Sequence, residues 1–172
     1  VTDSLVRVSG HLRLRAASLP DTATVAAALA ALVRPGDVLV LAGEMGAGKT
    51  TFMKAFAAAL GFDGPVTSPT FTLVQHYVGG RLDVHHVDVY RLDRVGELHD
   101  LGLGELLDAG GVVCVEWGDV VATALGEDRL EVRLDADPDD PVHARRIELH
   151  AVGPAWAQRW AGLCEDLGAL TC

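Results

Sequence analysis

Gly43-Glu44-Met45-Gly46-Ala47-Gly48-Lys49-Thr50 joins an apolar run, Val38–Leu41, to a segment whose apolar residues Phe52, Met53, Phe56, Ala59 and Leu60 recur at helical spacing. The pattern G-x-x-x-x-G-K-[ST] needs these residue types for physical reasons. Glycines at 43, 46 and 48 permit φ > 0 and let backbone N–H groups come close to a ligand. Those donors, with a helix N-terminus behind them, surround an anion. A helix dipole alone contributes roughly 0.3–1 kcal/mol per exposed charge, too little to hold a nucleotide. Lys49 is therefore expected to neutralise β/γ-phosphate charge, and Thr50 to offer its hydroxyl to Mg²⁺. Ala47 and Thr51 complete the predicted nucleotide cradle.

A bound triphosphate also needs a metal-directed carboxylate and a group that positions the nucleophile. Asp88 ends the run Val84-His85-His86-Val87, and on a strand His86, Asp88 and Tyr90 share one face. Glu116 follows Val112–Val115 at the expected C-terminal end of a second strand, where ligands of open α/β sheets bind. Lys49, Asp88 and Glu116 are the catalytic candidates, and Thr50 with Glu116 the candidates for holding metal. Sequence does not separate the roles of the two acids, and either could instead cap the next turn. His85 and His86 point to opposite faces of a strand, so they do not chelate one ion; core packing or a solvent contact is expected. Trp117 is either core or an aromatic platform near a ligand or partner.

The elements that must position these groups follow from periodicity and punctuation. Residues 12–17 read as a short edge strand. A helix starts at Pro20-Asp21-Thr22, carries Val25, Leu29, Leu32 and Val33 on one stripe, and ends at Arg34-Pro35-Gly36. Val38–Leu41 and Val112–Val115 read as strands buried on both faces. Thr70–Tyr77 and Arg81–Tyr90 read as a hairpin around Val78-Gly79-Gly80. The segment Asp93–Gly111 is expected to hold two short helices. Leu130–Leu134 and Arg146–Ala151 form a second strand pair across the acidic loop Asp135–Asp140. Pro154 opens a last helix bearing Trp156, Trp160, Leu163 and Leu167, with the tryptophans expected in the core. The sum is an α/β fold, a single P-loop NTPase-like domain over 1–172. Its sheet is mixed and mostly parallel, with an antiparallel hairpin, and helices flank it.

Composition narrows the class. The chain has 172 residues and a formal net charge of −10, so strong nucleic-acid binding by this chain alone is not expected. Lys49 and Lys54 are its only lysines. Cys114 lies in an apolar run and reads as a reduced core thiol, and no run approaches the ~20 apolar residues of a membrane helix. A cytoplasmic location is expected, with no signal-peptide h-region at the N-terminus.

Four motifs in order carry a family resemblance: GEMGAGKTT, then SPTFTLV at Ser68–Val74, HHVDVYRL at His85–Leu92 and VEWG at Val115–Gly118. They resemble the TsaE (YjeE) family, small P-loop ATPases of bacterial tRNA threonylcarbamoyladenosine (t6A) synthesis, over roughly Leu19 to Leu149. The second and third motifs are far more family-specific than the first. The resemblance implies binding of ATP and Mg²⁺, slow ATP hydrolysis, and action with a TsaB–TsaD complex that holds the tRNA and modifies adenosine 37. It implies that Thr50 and Glu116 lie at Mg²⁺ and that Asp88 takes the Walker B position. Ser68, Pro69 and Thr70 match a switch-like loop near the γ-phosphate. Segments matching Pro20–Thr22 and Arg145/Arg146 lie near the adenine, which adds Thr22 and Arg145 to the nucleotide contacts. The chain's acidity agrees with tRNA reached only through partners. Two other readings stay open: a P-loop small-molecule kinase, which needs an acceptor pocket and usually an arginine-rich lid, and a nucleotide-gated assembly module without catalytic output.

Overall fold

The structure, a computed structural model, describes residues 8–90, 102–117 and 125–172. Its strands are β1 (Val8–Ala16), β2 (Val38–Ala42), β3 (Val74–Tyr77), β4 (Val84–Asp88), β5 (Val112–Glu116), β6 (Arg129–Ala136) and β7 (Arg145–Val152). Its helices are α1 (Leu19–Leu32), α2 (Lys49–Ala59), α3 (Leu103–Asp108) and α4 (Pro154–Asp166), followed by a 3₁₀ turn at Gly168–Leu170. Among the described residues the strands form one sheet in the order β1-β7-β6-β2-β5-β4-β3. The central β6-β2-β5-β4 block is parallel, and antiparallel pairings bring in β7, β1 and β3. Only β3 and β7 run against the others, so most strands share one direction.

Why β2 and β5 read as unbroken apolar runs is visible in the layers. Leu39 and Leu41 face one core, with Cys114, Phe52, Phe56 and Trp156, while Val38 and Val40 face a second, with Val113, Val115 and Leu103. A strand covered on both faces has no wet side to make polar. Burial pushes the Cys114 thiol well above its ordinary range, which keeps it an inert thiol.

Local signals set the boundaries. Ser18 caps α1, its Oγ accepting from the Asp21 N–H, so the helix begins one residue before Pro20. The first hairpin strand is shorter than its β-rich sequence predicts: Thr70–Leu73 is a turn, closed by Leu73 N–H to Pro69 O at 2.7 Å, and Leu73 sits at φ 63°. The strand begins only at Val74, after that left-handed residue. Of the two short helices expected over Asp93–Gly111, α3 is present; positions 91–101 lie outside the described residues, as do the N-terminal seven and 118–124.

The last helix fastens the edge of the sheet. Trp156 is fully buried, as expected; Trp160 is half-buried and lies against Gly10, where any Cβ would collide with its ring. Arg159 stacks on Trp156 and forks onto Asp37 at 2.5 and 3.0 Å, one residue before β2.

Candidate functional site

The parallel strands β2, β4 and β5 end together, and their register places Asp88 beside Glu116 and Leu41 beside Glu116. A cleft of about 360 Å³ opens at these ends. Its lining includes Gly46, Gly48, Lys49, Thr50 and Thr51 from the glycine loop, Ser68 and Thr70 from the turn before β3, and both acids. Sequence positions 46 to 116 thus converge on one concavity, which is what crossover connections in a parallel sheet achieve.

The glycine loop has the backbone its composition demands. Gly48 takes φ 106° and precedes α2 with no side-chain cap on the helix N-terminus. Gly43 takes φ 136°, and a Cβ there would lie 2.2 Å from Leu134 O, so only glycine fits against β6. Lys49 is buried: its ammonium donates to Gly43 O at 2.7 Å and Glu44 O at 3.0 Å and lies over the Trp117 ring. The side chain is folded onto its own loop, within reach of the cleft.

Asp88 is 2% exposed and holds the Ser68–Thr70 turn. Its Oδ2 accepts from Thr70 Oγ1 at 2.9 Å and Ser68 Oγ at 3.4 Å, and its Oδ1 accepts from Tyr90 N–H at 2.9 Å. Glu116 is equally buried, and its Oε1 lies 2.8 Å from His86 Nε2. His86 Nδ1 lies 2.8 Å from the Tyr77 hydroxyl. Burial, with the Glu116 charge next, raises the Tyr77 phenol to about 12, so it stays a neutral hydroxyl. Next door, His76 and His85 meet through their Nδ1 atoms at 2.8 Å. Burial, then His76, lowers the His85 pKa.

Trp117 sits at φ 61°; it and Leu73 are the non-glycine residues with positive φ among those described, Trp117 lining the cleft and Leu73 accepting the Asp88 N–H behind it. Such conformations cost about 1–3 kcal/mol and persist where surrounding structure over-determines them. At 117 the twist turns the indole across the cleft, where it meets Tyr90 and Lys49.

Two residues expected near an adenine fare differently. Arg145 lies behind the glycine loop, its Nε donating to Ala47 O at 2.9 Å, and borders a side groove with Gly46, Ala47, Asp135 and Pro141. Thr22 is buried in α1, where its hydroxyl donates to Ser18 O, and it does not line the cleft. Tyr77 joins this site with no sequence motif pointing to it, and His86 takes a partner at the cleft where packing or a solvent contact is expected from sequence. The usable signal for His86 was the strand alternation that puts it on the face of Asp88.

A single mixed sheet with a G-x-x-x-x-G-K-T loop at the carboxyl ends of its parallel strands, and two buried acids opposite, defines a class of α/β proteins with a strand-end ligand cleft. Within that class the chain belongs to the TsaE family: residues 16–147 match the family described as "Threonylcarbamoyl adenosine biosynthesis protein TsaE". The tRNA threonylcarbamoyladenosine biosynthesis protein TsaE of Bacillus subtilis is 42% identical over 91% of this chain and 94% of its own length. The protein of the same name from Treponema pallidum is 41% identical over 72% of this chain and 90% of its own. The crystal structure of Bacillus subtilis YdiB is similar with a TM-score of 0.74 and 38% identity, covering 93% of this chain and 95% of that one. No helix among the described residues is long and apolar enough to cross a membrane.

Proposed function

We propose that this chain binds ATP with Mg²⁺ in the strand-end cleft, hydrolyses it slowly, and serves threonylcarbamoylation of tRNA adenosine 37 together with a TsaB–TsaD-like complex. The observation that carries the reading is the meeting of Lys49, Thr50, Asp88 and Glu116 around one cleft floored by uncapped helix N–H groups. Family membership directs it to t6A synthesis.

The donor set suits magnesium. A threonine hydroxyl and two carboxylates are hard oxygen ligands, and among the described residues neither thiol nor imidazole lines the cleft. Thr50 and Glu116 would hold the ion, with Asp88 at its water shell or at the attacking water. Bound there, Mg²⁺ would offset charge on the β- and γ-phosphate oxygens.

The reaction is attack of a water oxygen on the γ-phosphorus, with the β–γ bridging oxygen leaving on ADP. The transition state is loose, so positioning and charge do most of the work. Lys49 moves from Gly43 and Glu44 carbonyls to the phosphates, and the loop amides steady them. The water's proton goes to Asp88, to solvent or to a phosphate oxygen. The arginines that a kinase lid would use, Arg91 and Arg94, lie outside the described residues.

The second reading is a nucleotide gate. It is favoured by one observation: the turn at Ser68–Thr70 is hydrogen-bonded to Asp88 itself, so a ligand that recruits Asp88 also loosens the turn. One experiment separates the readings. Phosphate release is followed with ATP and Mg²⁺, with and without the TsaB–TsaD pair, for wild type and Glu116→Ala. Release stimulated by partners and lost in the variant, with modification lost too, supports the hydrolytic reading. Full modification without hydrolysis supports the gate.

A further inference from the structure

Glu116 does not stand alone at the cleft. It ends a buried chain of hydrogen bonds, Glu116 Oε1 to His86 Nε2 at 2.8 Å and His86 Nδ1 to Tyr77 Oη at 2.8 Å. Tyr77 Oη in turn lies 3.2 Å from Thr67 O and 3.0 Å from Gln75 Oε1. His86 is completely buried and the Glu116 side chain 3% exposed. A carboxylate oxygen accepts, so Nε2 donates to it, and Nδ1 accepts the single proton of the Tyr77 hydroxyl, which then only abuts the Thr67 and Gln75 oxygens. Oε1 is thereby committed, and Glu116 keeps its remaining lone pairs for the cleft it lines.

The far end of the chain reaches the same turn that Asp88 holds. Thr67 directly precedes Ser68, and Ser68 and Thr70 bond to Asp88. The turn is hydrogen-bonded to Asp88, and Tyr77, whose hydroxyl abuts Thr67 O, is hydrogen-bonded through His86 to Glu116.

We infer that His86 and Tyr77 are positioning residues that fix the Glu116 carboxylate for the magnesium-bound nucleotide. This inference rests on the ATPase reading for its kinetic consequence but not for its geometry. Removing partners one shell behind a metal ligand typically costs about 10–100-fold in metal affinity or activity, which sets the expected size.

Tyr77→Phe removes one hydroxyl and keeps the ring, which packs on Phe62. His86→Ala deletes the link, and His86→Gln restores a donor near it. The expected result is a fall of kcat for phosphate release of about tenfold or more in Tyr77→Phe and His86→Ala. KM for ATP stays near wild type, more Mg²⁺ is needed for half-maximal rate, and His86→Gln recovers part of the loss. In crystals of Tyr77→Phe, Glu116 adopts an altered position. An active wild type with Tyr77→Phe unchanged in kcat and Mg²⁺ requirement overturns the inference. So does loss of stability and activity in parallel without rescue by glutamine. An inactive wild type defeats the ATPase reading instead; the positioning claim then stands or falls on whether Glu116 has moved in the Tyr77→Phe crystal.

A separate group of residues carries a second inference. His11 on β1 stands directly opposite His150 on β7, and Glu148 shares their face. Glu148 Oε2 lies 3.7 Å from His11 Nε2 and 3.6 Å from His150 Nε2, beyond hydrogen-bond length, and the three atoms lie within 4.8 Å of one another. Ligand bonds of about 2.0–2.2 Å in a tetrahedron put neighbouring donors roughly 3.3–3.6 Å apart, near the two carboxylate–imidazole separations. Arg13 takes the other oxygen, Oε1, at 3.1 Å and orients the carboxylate. The geometry points to a surface site for a borderline divalent ion such as Zn²⁺, held by two imidazoles and a carboxylate, with a position open to a further ligand. His11, Glu148 and His150 lie outside the family-matched residues 16–147. Calorimetric titration of nucleotide-free protein with zinc chloride tests it. The expected result is a saturable equivalent kept in Glu116→Ala and lost in the double variant His11→Ala/His150→Ala. Unchanged zinc binding in that double variant, or none in wild type, overturns it.

Discussion

The ammonium of Lys49 lies 3.9 Å from the centroid of the Trp117 ring. Two loop carbonyls hold the same ammonium, so the lysine has a resting place built from its own loop and the indole. Cation–π contacts are worth about 0.5–1 kcal/mol when exposed and about 2 when desolvated. Triphosphate charge competes well against that. Binding of ATP with Mg²⁺ should therefore draw Lys49 off the ring and change Trp117 emission. The change is expected to saturate in wild type and to disappear in Trp117→Phe, with Trp156 and Trp160 as the unchanging background. A saturating ATP signal of equal size in Trp117→Phe would place the reporter elsewhere.

Asp88 keeps the turn and the cleft in one hydrogen-bond network. Asp88→Asn retains an acceptor for Tyr90 N–H but loses the charge. We expect phosphate release to fall by about a hundredfold or more, the size typical for a positioned acid–base group, while ATP affinity changes far less. A steady-state assay beside a binding titration reads both. Equal losses in the two would move Asp88 from the chemistry to simple ligand binding.

The acidic loop between β6 and β7 is pinned by Asp137, whose side chain is nearly inaccessible. The Asp139 N–H first, then Arg15, hold its carboxyl below the usual carboxylate range. A depressed folded pKa stabilises above the unfolded value and loses that contribution as pH falls through the folded one. The stability gap between wild type and Asp137→Ala should be constant above about pH 4 and close as the solution becomes more acidic. Urea unfolding across that range measures it; a gap that widens on acidification would reverse the sign.

Arg159 ties α4 to the residue before β2, with its guanidinium and Asp37 both largely buried. Breaking a buried pair by removing one partner leaves an uncompensated charge, so Arg159→Ala should lose roughly 3 kcal/mol. Denaturant midpoints check this. A loss below about 0.5 kcal/mol would put the pair with ordinary surface substitutions.

Much of this architecture was legible in the residues. The glycine loop was, because each of its types answers a steric or electrostatic demand that nothing else meets. The strands of β2 and β5 were, because burial on both faces leaves no polar alternation. Asp88 and Glu116 were, because strand ends in parallel sheets converge. The Thr70–Leu73 turn was not, since β-branched residues there report strand propensity while a tertiary bond from Asp88 N–H to Leu73 O sets the backbone. Nor was the link from Glu116 to Tyr77. It joins residues on three strands, and register across strands is a property of the sheet, not of any one segment. Thr22, which the family resemblance put near an adenine, is buried within α1 and does not line the cleft.

If the glycine loop and Lys49 capture a magnesium-loaded triphosphate, isothermal titration of ATP with Mg²⁺ into wild type and Lys49→Ala will show it without any intermediate step. A saturable single-site isotherm is expected in wild type and its loss in the folded variant. No heat from wild type at millimolar ATP, or the same isotherm in both proteins, would contradict it.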